Sequence, residues 1–323
     1  MITWGSRSFA ANSSAVTNQL NQIQSISATE RAFAAIKADG SVITWGSTSH
    51  GGDSSSVKVN LNSVQSISAT ERAFAAVKAD GSVITWGDPD YGGDSSSVAN
   101  HLTQIQSISA TKYAFAAIKS NGSVITWGNP NAGGNSNAVS SQLTQVQTIS
   151  ATDSVFAAIK ADGSVITWGN SLYGGISVFE ASQITDIQSI SATERAFAAV
   201  KEDGSVVTWG FDISSSDPDV TLDYGANSSS VIHQLTQVKS ISAASQSFAA
   251  IKNDGSVVTW GYHSQYPSYV ADQLNDVQEI FATDYAFAAI RSDGSVITWG
   301  NSLYGGFAQE TSGLTPQGIV TIK

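Results

Sequence analysis

The spacing of phenylalanine and tryptophan is fixed in this chain where most other intervals drift. Phe33, Phe74, Phe115, Phe156, Phe197, Phe248 and Phe287 are each followed 12 residues later by a tryptophan, at Trp45, Trp86, Trp127, Trp168, Trp209, Trp260 and Trp299. The return interval to the next phenylalanine is 29 from Trp4, Trp45, Trp86, Trp127 and Trp168, then 39 from Trp209 and 27 from Trp260. Length variation is thus confined to one side of a repeat of about 41 residues. Such a pattern is expected when a constant framework carries the fold and its connections carry recognition.

Each repeat reads as strands. In the second copy VQSISAT (Val64–Thr70) alternates and is rich in β-branched residues, AFAAVK (Ala73–Lys78) follows, and SVITWG (Ser82–Gly87) comes after a tight turn. That turn holds Asp39-Gly40, Asp80-Gly81, Asn121-Gly122, Asp162-Gly163, Asp203-Gly204, Asp254-Gly255 or Asp293-Gly294. These pairs supply a left-handed backbone at low cost, which is a strong hairpin signal. The middle strand sets small alanines beside Phe and Ile on both faces, as a sheet sandwiched between two others requires. Helical periodicity is absent, and the chain is predicted to be all-β.

A three- or four-stranded unit of this size cannot bury both faces alone, so the units must stack. A ring of short radial sheets also protects the strand edges. Seven copies predict a seven-bladed β-propeller; an open β-solenoid competes, but its coils are usually shorter and lack a hairpin in every repeat. One domain is expected. Residues 1–20 form an opening strand and first connection, 21–300 the seven repeats, and 301–323 a last connection and tail strand. There are eight TWG strands for seven FAA strands, so Ile2–Gly5 is placed to close the ring, in competition with Ile297–Gly300 and the tail Gly318–Lys323. Because Met1–Gly5 begins inside a repeat strand, the chain is expected to be cut from a longer protein or to use that strand structurally.

The blocks VxSIxAT, FAAxKxDGSVxTWG and the downstream YGG or HGG resemble the regulator-of-chromosome-condensation repeat family over residues 21–300. The resemblance implies a seven-bladed β-propeller. The short repeat is closer to the compact bacterial propellers, among them secreted protein inhibitors of β-lactamases. In those inhibitors the turn after the first strand carries aromatic side chains that grip the target enzyme. The long wedge-like insertion of the exchange factors in the eukaryotic branch has no obvious counterpart here.

Composition narrows the function classes. Charged residues are 13% of the chain, against about 25% on average. Lys plus Arg number 15 and Asp plus Glu 26, for a net charge of −11. With no basic cluster the chain lacks the phosphate-neutralising charge that nucleic acid or anionic membrane demands. Cysteine is absent, which removes disulfides and thiolate metal sites. No stretch is apolar and long enough to span a bilayer. His50, His101, His233 and His263 fall in different repeats, so neither a metal site nor a general base is expected, and no cofactor. The Asp-Gly pairs lack the alternating acidic spacing of a calcium loop.

Comparing the repeats with one another isolates two candidate binding regions. Directly after SAT lie Glu30-Arg31, Glu71-Arg72, Lys112-Tyr113, Asp153-Ser154, Glu194-Arg195, Ser245-Gln246 and Asp284-Tyr285. Repeat symmetry predicts these as a ring on one face, with Arg31, Arg72, Tyr113, Arg195 and Tyr285 as contact residues; Tyr113 and Tyr285 keep an aromatic where the inhibitor propellers have one. The bland alternative is solvated turn residues in weak ion pairs. The second region is the connection after TWG in two departing repeats, Phe211–Asn227 and Tyr262–Tyr269. Phe211, Tyr224, Tyr262, Tyr266 and Tyr269 are expected there as an exposed patch for protein or glycan. The bland alternative is a tolerated insertion. The expected function is a non-enzymatic binding propeller, one module of a larger secreted, surface or phage-fibre-like protein. An inhibitor or effector docking an enzyme or small GTPase, and a glycan-binding ring, remain alternatives.

Overall fold

The computed structural model describes residues 13–173, 184–211, 224–262 and 268–306, with side chains given throughout except at 268 and 269. They form seven three-stranded antiparallel sheets, each a simple meander in chain order, and the chain is a seven-bladed all-β propeller. It divides into two compact units, 1–171 with four blades and 172–323 with three. Among the described residues one α-helical turn, Ser268–Ala271, interrupts the β pattern that the sequence predicts throughout, and short 3-10 turns fill most connections. The opening strand and tail proposed for ring closure lie outside the described residues, while Val296–Gly300 is the third strand of its own sheet.

The second blade shows why this sequence folds as it does. Val64–Ala69 pairs with Ala73–Lys78, and Ala73–Lys78 pairs with Val83–Gly87 so that Phe74 stands opposite Trp86. The two rings stack at 5.1 Å, and the fixed interval of 12 is the register that brings them together. Between the last two strands the Asp80 carboxylate accepts the Ser82 amide at 2.9 Å and its hydroxyl at 2.6 Å. The acid is therefore spent on its own turn, which argues against a calcium role and holds its carboxyl below the usual range.

The middle strand is buried on both faces. Ala73, Ala75 and Val77 pack with Leu102, Ile105, Phe115, Ala117 and Trp127 of the next blade. The alternate residues Phe74 and Ala76 pack with Ala32, Ala34 and Ile36 of the preceding blade. Each fully buried phenylalanine contributes about 1.5–3 kcal/mol relative to exposure, and the small alanines let adjacent sheets approach.

Polar bonds join the blades within each unit. In the first, Ser27, Ser68 and Ser109 donate their hydroxyls to the carbonyls of Ile67, Ile108 and Ile149 on the next first strand at 2.7–2.8 Å. In the second, Ser191 and Ser242 do the same to Ile241 and Ile280. Trp86, Trp127, Trp168 and Trp260 bridge blades as well: Trp127 Nε1 donates to the Gly92 carbonyl at 3.0 Å. Gly92 has φ +88°, and a Cβ there would meet Phe115 at 2.7 Å, so the glycine is required by close approach as well as by conformation. The same holds at the hairpin: Gly81 has φ +75°, and a Cβ would stand 2.9 Å from Gln104 Cα of the next blade. Gln104 itself is left-handed at φ +59°, as are Gln22, Ser63, Gln145, Asp186, Gln237 and Asp276 before the other first strands.

Candidate functional site

The turn after each first strand and the connection after each TWG, separate candidates in the sequence, form one edge of the blade. The Asp88 amide donates to the Arg72 carbonyl at 3.0 Å, and the Thr70 hydroxyl donates to the Tyr91 carbonyl at 2.9 Å. Thr29, Thr111, Thr193 and Thr283 make the equivalent bonds to His50, Ala132, Tyr224 and Tyr304. This explains the invariant SAT or FAT threonine in those blades: it ties the two loops together.

The edge also runs from blade to blade through the main chain. Glu30 N donates to Glu71 O, Glu71 N to Lys112 O and Lys112 N to Asp153 O at 3.0–3.1 Å. In the second unit Glu194 N donates to Ser245 O and Ser245 N to Asp284 O at 2.9–3.0 Å. The first variable rim position is thus structural in its backbone and variable in its side chain. Lys112 exploits the spacing, with its ammonium 2.7 Å from Asp153 and 3.9 Å from Glu71 on the flanking blades.

In the first unit the Arg72 guanidinium lies 4.7 Å over the Tyr91 ring, which packs at 5.2 Å against Tyr113 of the next blade. A cleft of about 390 Å³ opens between residues 89–91 and 128–130, with Tyr113 on its wall and Asp90 and Asn129 as polar groups. Burial pushes the Tyr113 phenol above its ordinary range, with the Glu71 carboxylate adding to the effect. Arg72 is 3.8 Å from Asp88, so its partner is not the adjacent Glu71 that the sequence suggests. Arg31 does pair with its neighbour Glu30, at 3.1 Å, and the hydrogen bond from Arg31 is the main reason that the Glu30 carboxyl sits below its usual range.

In the second unit Arg195 carries three rings. Its guanidinium is 4.4 Å from the Tyr173 ring, 4.9 Å from Tyr224 and 5.7 Å from Phe211. The rings meet edge to face, Tyr173 with Phe211 at 5.6 Å and Phe211 with Tyr224 at 6.0 Å. Tyr224 is 4% exposed, which corrects its expected place in an exposed patch: Arg195 and Phe211 need a ring beneath them, and Tyr224 supplies it. Tyr285 packs against Tyr304 at 4.7 Å, and burial followed by the Glu194 carboxylate raises its phenol. Tyr262 is half-buried, whereas Tyr266 and the Tyr269 side chain lie outside the described residues.

Tyr91, Tyr173 and Tyr304 were not singled out by the sequence reading as site residues. Their signal is the residue preceding glycine in the connections that contain one, tyrosine at 91, 173, 224 and 304 but His50 and Ala132 elsewhere. Among the described residues no group of three or more His, Cys, Asp or Glu is gathered to hold a metal, and no helix is long and apolar enough to cross a membrane.

No protein family and no curated protein matches this chain in sequence. Among solved structures it is similar to the CRINKLY WD40 ectodomain of the Arabidopsis thaliana receptor kinase ACR4, at 16% identity and TM-score 0.46, covering 86% of this chain and 97% of that one. Human WBSCR16 is similar at 15% identity and TM-score 0.49, covering 82% and 85%. Prp20p of Saccharomyces cerevisiae is similar at 15% identity and TM-score 0.45, covering 73% and 72%.

Proposed function

We propose that the chain is a non-enzymatic binding propeller that docks a protein partner on the blade edge bearing the rim turns and the connections after TWG. The observation that carries this reading is the concentration of Arg–aromatic and Tyr–Tyr pairs on that edge, around Tyr91 and Tyr113 in one unit and Arg195 and Tyr285 in the other. Tyr and Arg dominate binding hot spots because they combine large contact area with directed hydrogen bonds. Main-chain bonds already fix these loops, so association loses little ordering entropy. Among the described residues the opposite edge, with its self-satisfied Asp-Gly-Ser turns, shows no Arg–aromatic or Tyr–Tyr pair. The setting is inferred to be secreted or surface-exposed, and an inhibitor-type partner would be an enzyme.

The test is capture by immobilised chain, comparing wild type with a triple variant Arg72→Ala, Tyr91→Ala, Tyr113→Ala and with a hairpin-edge control, Asp80→Asn, which keeps the turn bonds as Asn121 does. Loss of a captured protein with the triple variant alone supports the reading. Equal affinity of both folded variants for every captured protein removes it. The cleft beside Tyr113 favours a glycan as the second reading, since Tyr91, Asp90 and Asn129 offer a ring face and acceptors. Saccharide binding lost with Tyr113→Ala would select it.

A further inference from the structure

Among the described residues the rim turns carry four cations, and Arg195 stands apart from the others. Arg31 lies 3.1 Å from Glu30, Arg72 3.8 Å from Asp88, and Lys112 2.7 Å from Asp153. Arg195 has no carboxylate within ion-pair distance among the described residues, in a chain where acidic residues outnumber basic ones 26 to 15. Its guanidinium is instead laid over Tyr173, Tyr224 and Phe211. Ring stacking holds a guanidinium by its faces and leaves its in-plane N–H edge for another partner. The buried Tyr224 and its edge-to-face contacts fix the platform, so the fork is oriented before any partner arrives.

We propose that Arg195 is a preorganised receptor for a carboxylate of the protein partner, an Asp or Glu side chain taken bidentately. The inference rests on the reading of this edge as the binding face and names the chemistry that it recognises. A planar fork matches a carboxylate with two parallel hydrogen bonds, and a stacked one loses little entropy in making them. The neighbourhood selects a monoanion. Glu194 precedes Arg195, and Glu194 and Asp284 both act on the nearby Tyr285 phenol, so a phosphate of nearly twice the charge meets more repulsion than a carboxylate does.

The experiment uses the whole chain and a capped hexaglutamate peptide, followed by the Arg195 Nε–Hε resonance in heteronuclear NMR. Saturable movement of that signal with hexaglutamate, and none with capped hexaglutamine, is the expected result. Arg195→Lys keeps the charge but removes the fork and the stack, and should weaken hexaglutamate binding by at least about tenfold. Lys78→Ala, at the hairpin end of the second blade's middle strand, should change it by less than about twofold. An unresponsive Arg195 signal overturns the proposal, whether the guanidinium ignores carboxylates or another group of the same chain already holds it. So does tighter binding of inorganic phosphate than of hexaglutamate at that signal. The wild-type titration decides even if Arg195→Lys fails to fold. Hexaglutamate binding at Arg195 with no protein captured by the chain would leave the receptor standing and remove the protein-docking role.

Discussion

Gly81→Ala, in a hairpin, and Gly305→Ala, in the connection after the last TWG, together test whether left-handed glycines are kept for their conformation or for the neighbouring blade. Both residues have positive φ, +75° and +95°, so an alanine at either costs about 1–2 kcal/mol for a left-handed backbone. At Gly305 nothing among the described residues stands within 4 Å of the added Cβ, and the cost should end there. At Gly81 the Cβ would lie 2.9 Å from Gln104 Cα and 3.1 Å from the amide nitrogens of Gln104 and Ile105. Those atoms are main chain and cannot swing aside, so one blade must shift from the next. Overpacking of this kind costs about 1–3 kcal/mol, and lengthening the 2.9 Å bond from Ile105 N to Gly81 O adds roughly 1 kcal/mol. Gly81→Ala is therefore expected to cost about 3–6 kcal/mol in all, some 2 kcal/mol or more beyond Gly305→Ala. Urea unfolding followed by tryptophan fluorescence, with equal m-values as the control for the unfolded state, measures the difference. Equal costs at the two sites would refute the argument that blade contact, and not only turn geometry, selects glycine there.

Three further outcomes are expected. Trp127→Phe strands the Gly92 carbonyl that the indole satisfies and should cost about 1–3 kcal/mol in denaturant unfolding, beyond any loss of ring area. Tyr113→Ala removes the contact with Tyr91 and should lower stability by about 0.5–1.5 kcal/mol. The carboxyls of Asp39, Asp80, Asp162, Asp203, Asp254 and Asp293 all sit below their usual value of 3.8 because serine hydroxyls and amides donate to them. Depressed folded-state values mean that their contribution is present above the unfolded pKa and is lost as pH falls below about 3.8 through the folded values, so the melting temperature should drop there. Asp→Asn at the six turns should flatten that acid limb, since Asn121 already makes the same bonds in the third blade.

The blades were legible in the sequence because their signals are local. Asp-Gly and Phe-to-Trp spacing act within one hairpin, and alternating small and large residues reveal a sheet covered on both sides. Contacts between repeats were not legible. The second serine of IQSISA looks like an ordinary outward-facing residue until its partner 40 positions away is seen. The tyrosine before glycine meets Arg72 of its own blade but Tyr113 of the next, a pairing that no single repeat contains. Tyr224 gives no local sign of burial, since the residues that cover it are Arg195 and Phe211 at other points of the chain. The left-handed Ser63, Gln104, Gln145, Gln237 and Asp276 before their first strands defy turn statistics because the hairpin of the preceding blade packs directly on their Cα atoms.

The main-chain bonds along the rim have a consequence for change over evolutionary time. Because Glu30, Glu71 and Lys112 are joined to the following blade by backbone N–H and C=O, the joint is indifferent to which side chain sits there, and the same bond is made by Glu194 and Ser245. Selection can therefore rewrite the rim one blade at a time while the blade joints stay intact. A duplicated repeat inherits a working joint together with a blank dipeptide. The same property marks Glu71-Arg72, Lys112-Tyr113 and Asp153-Ser154 as positions to randomise together if this chain is used as a scaffold for new binders.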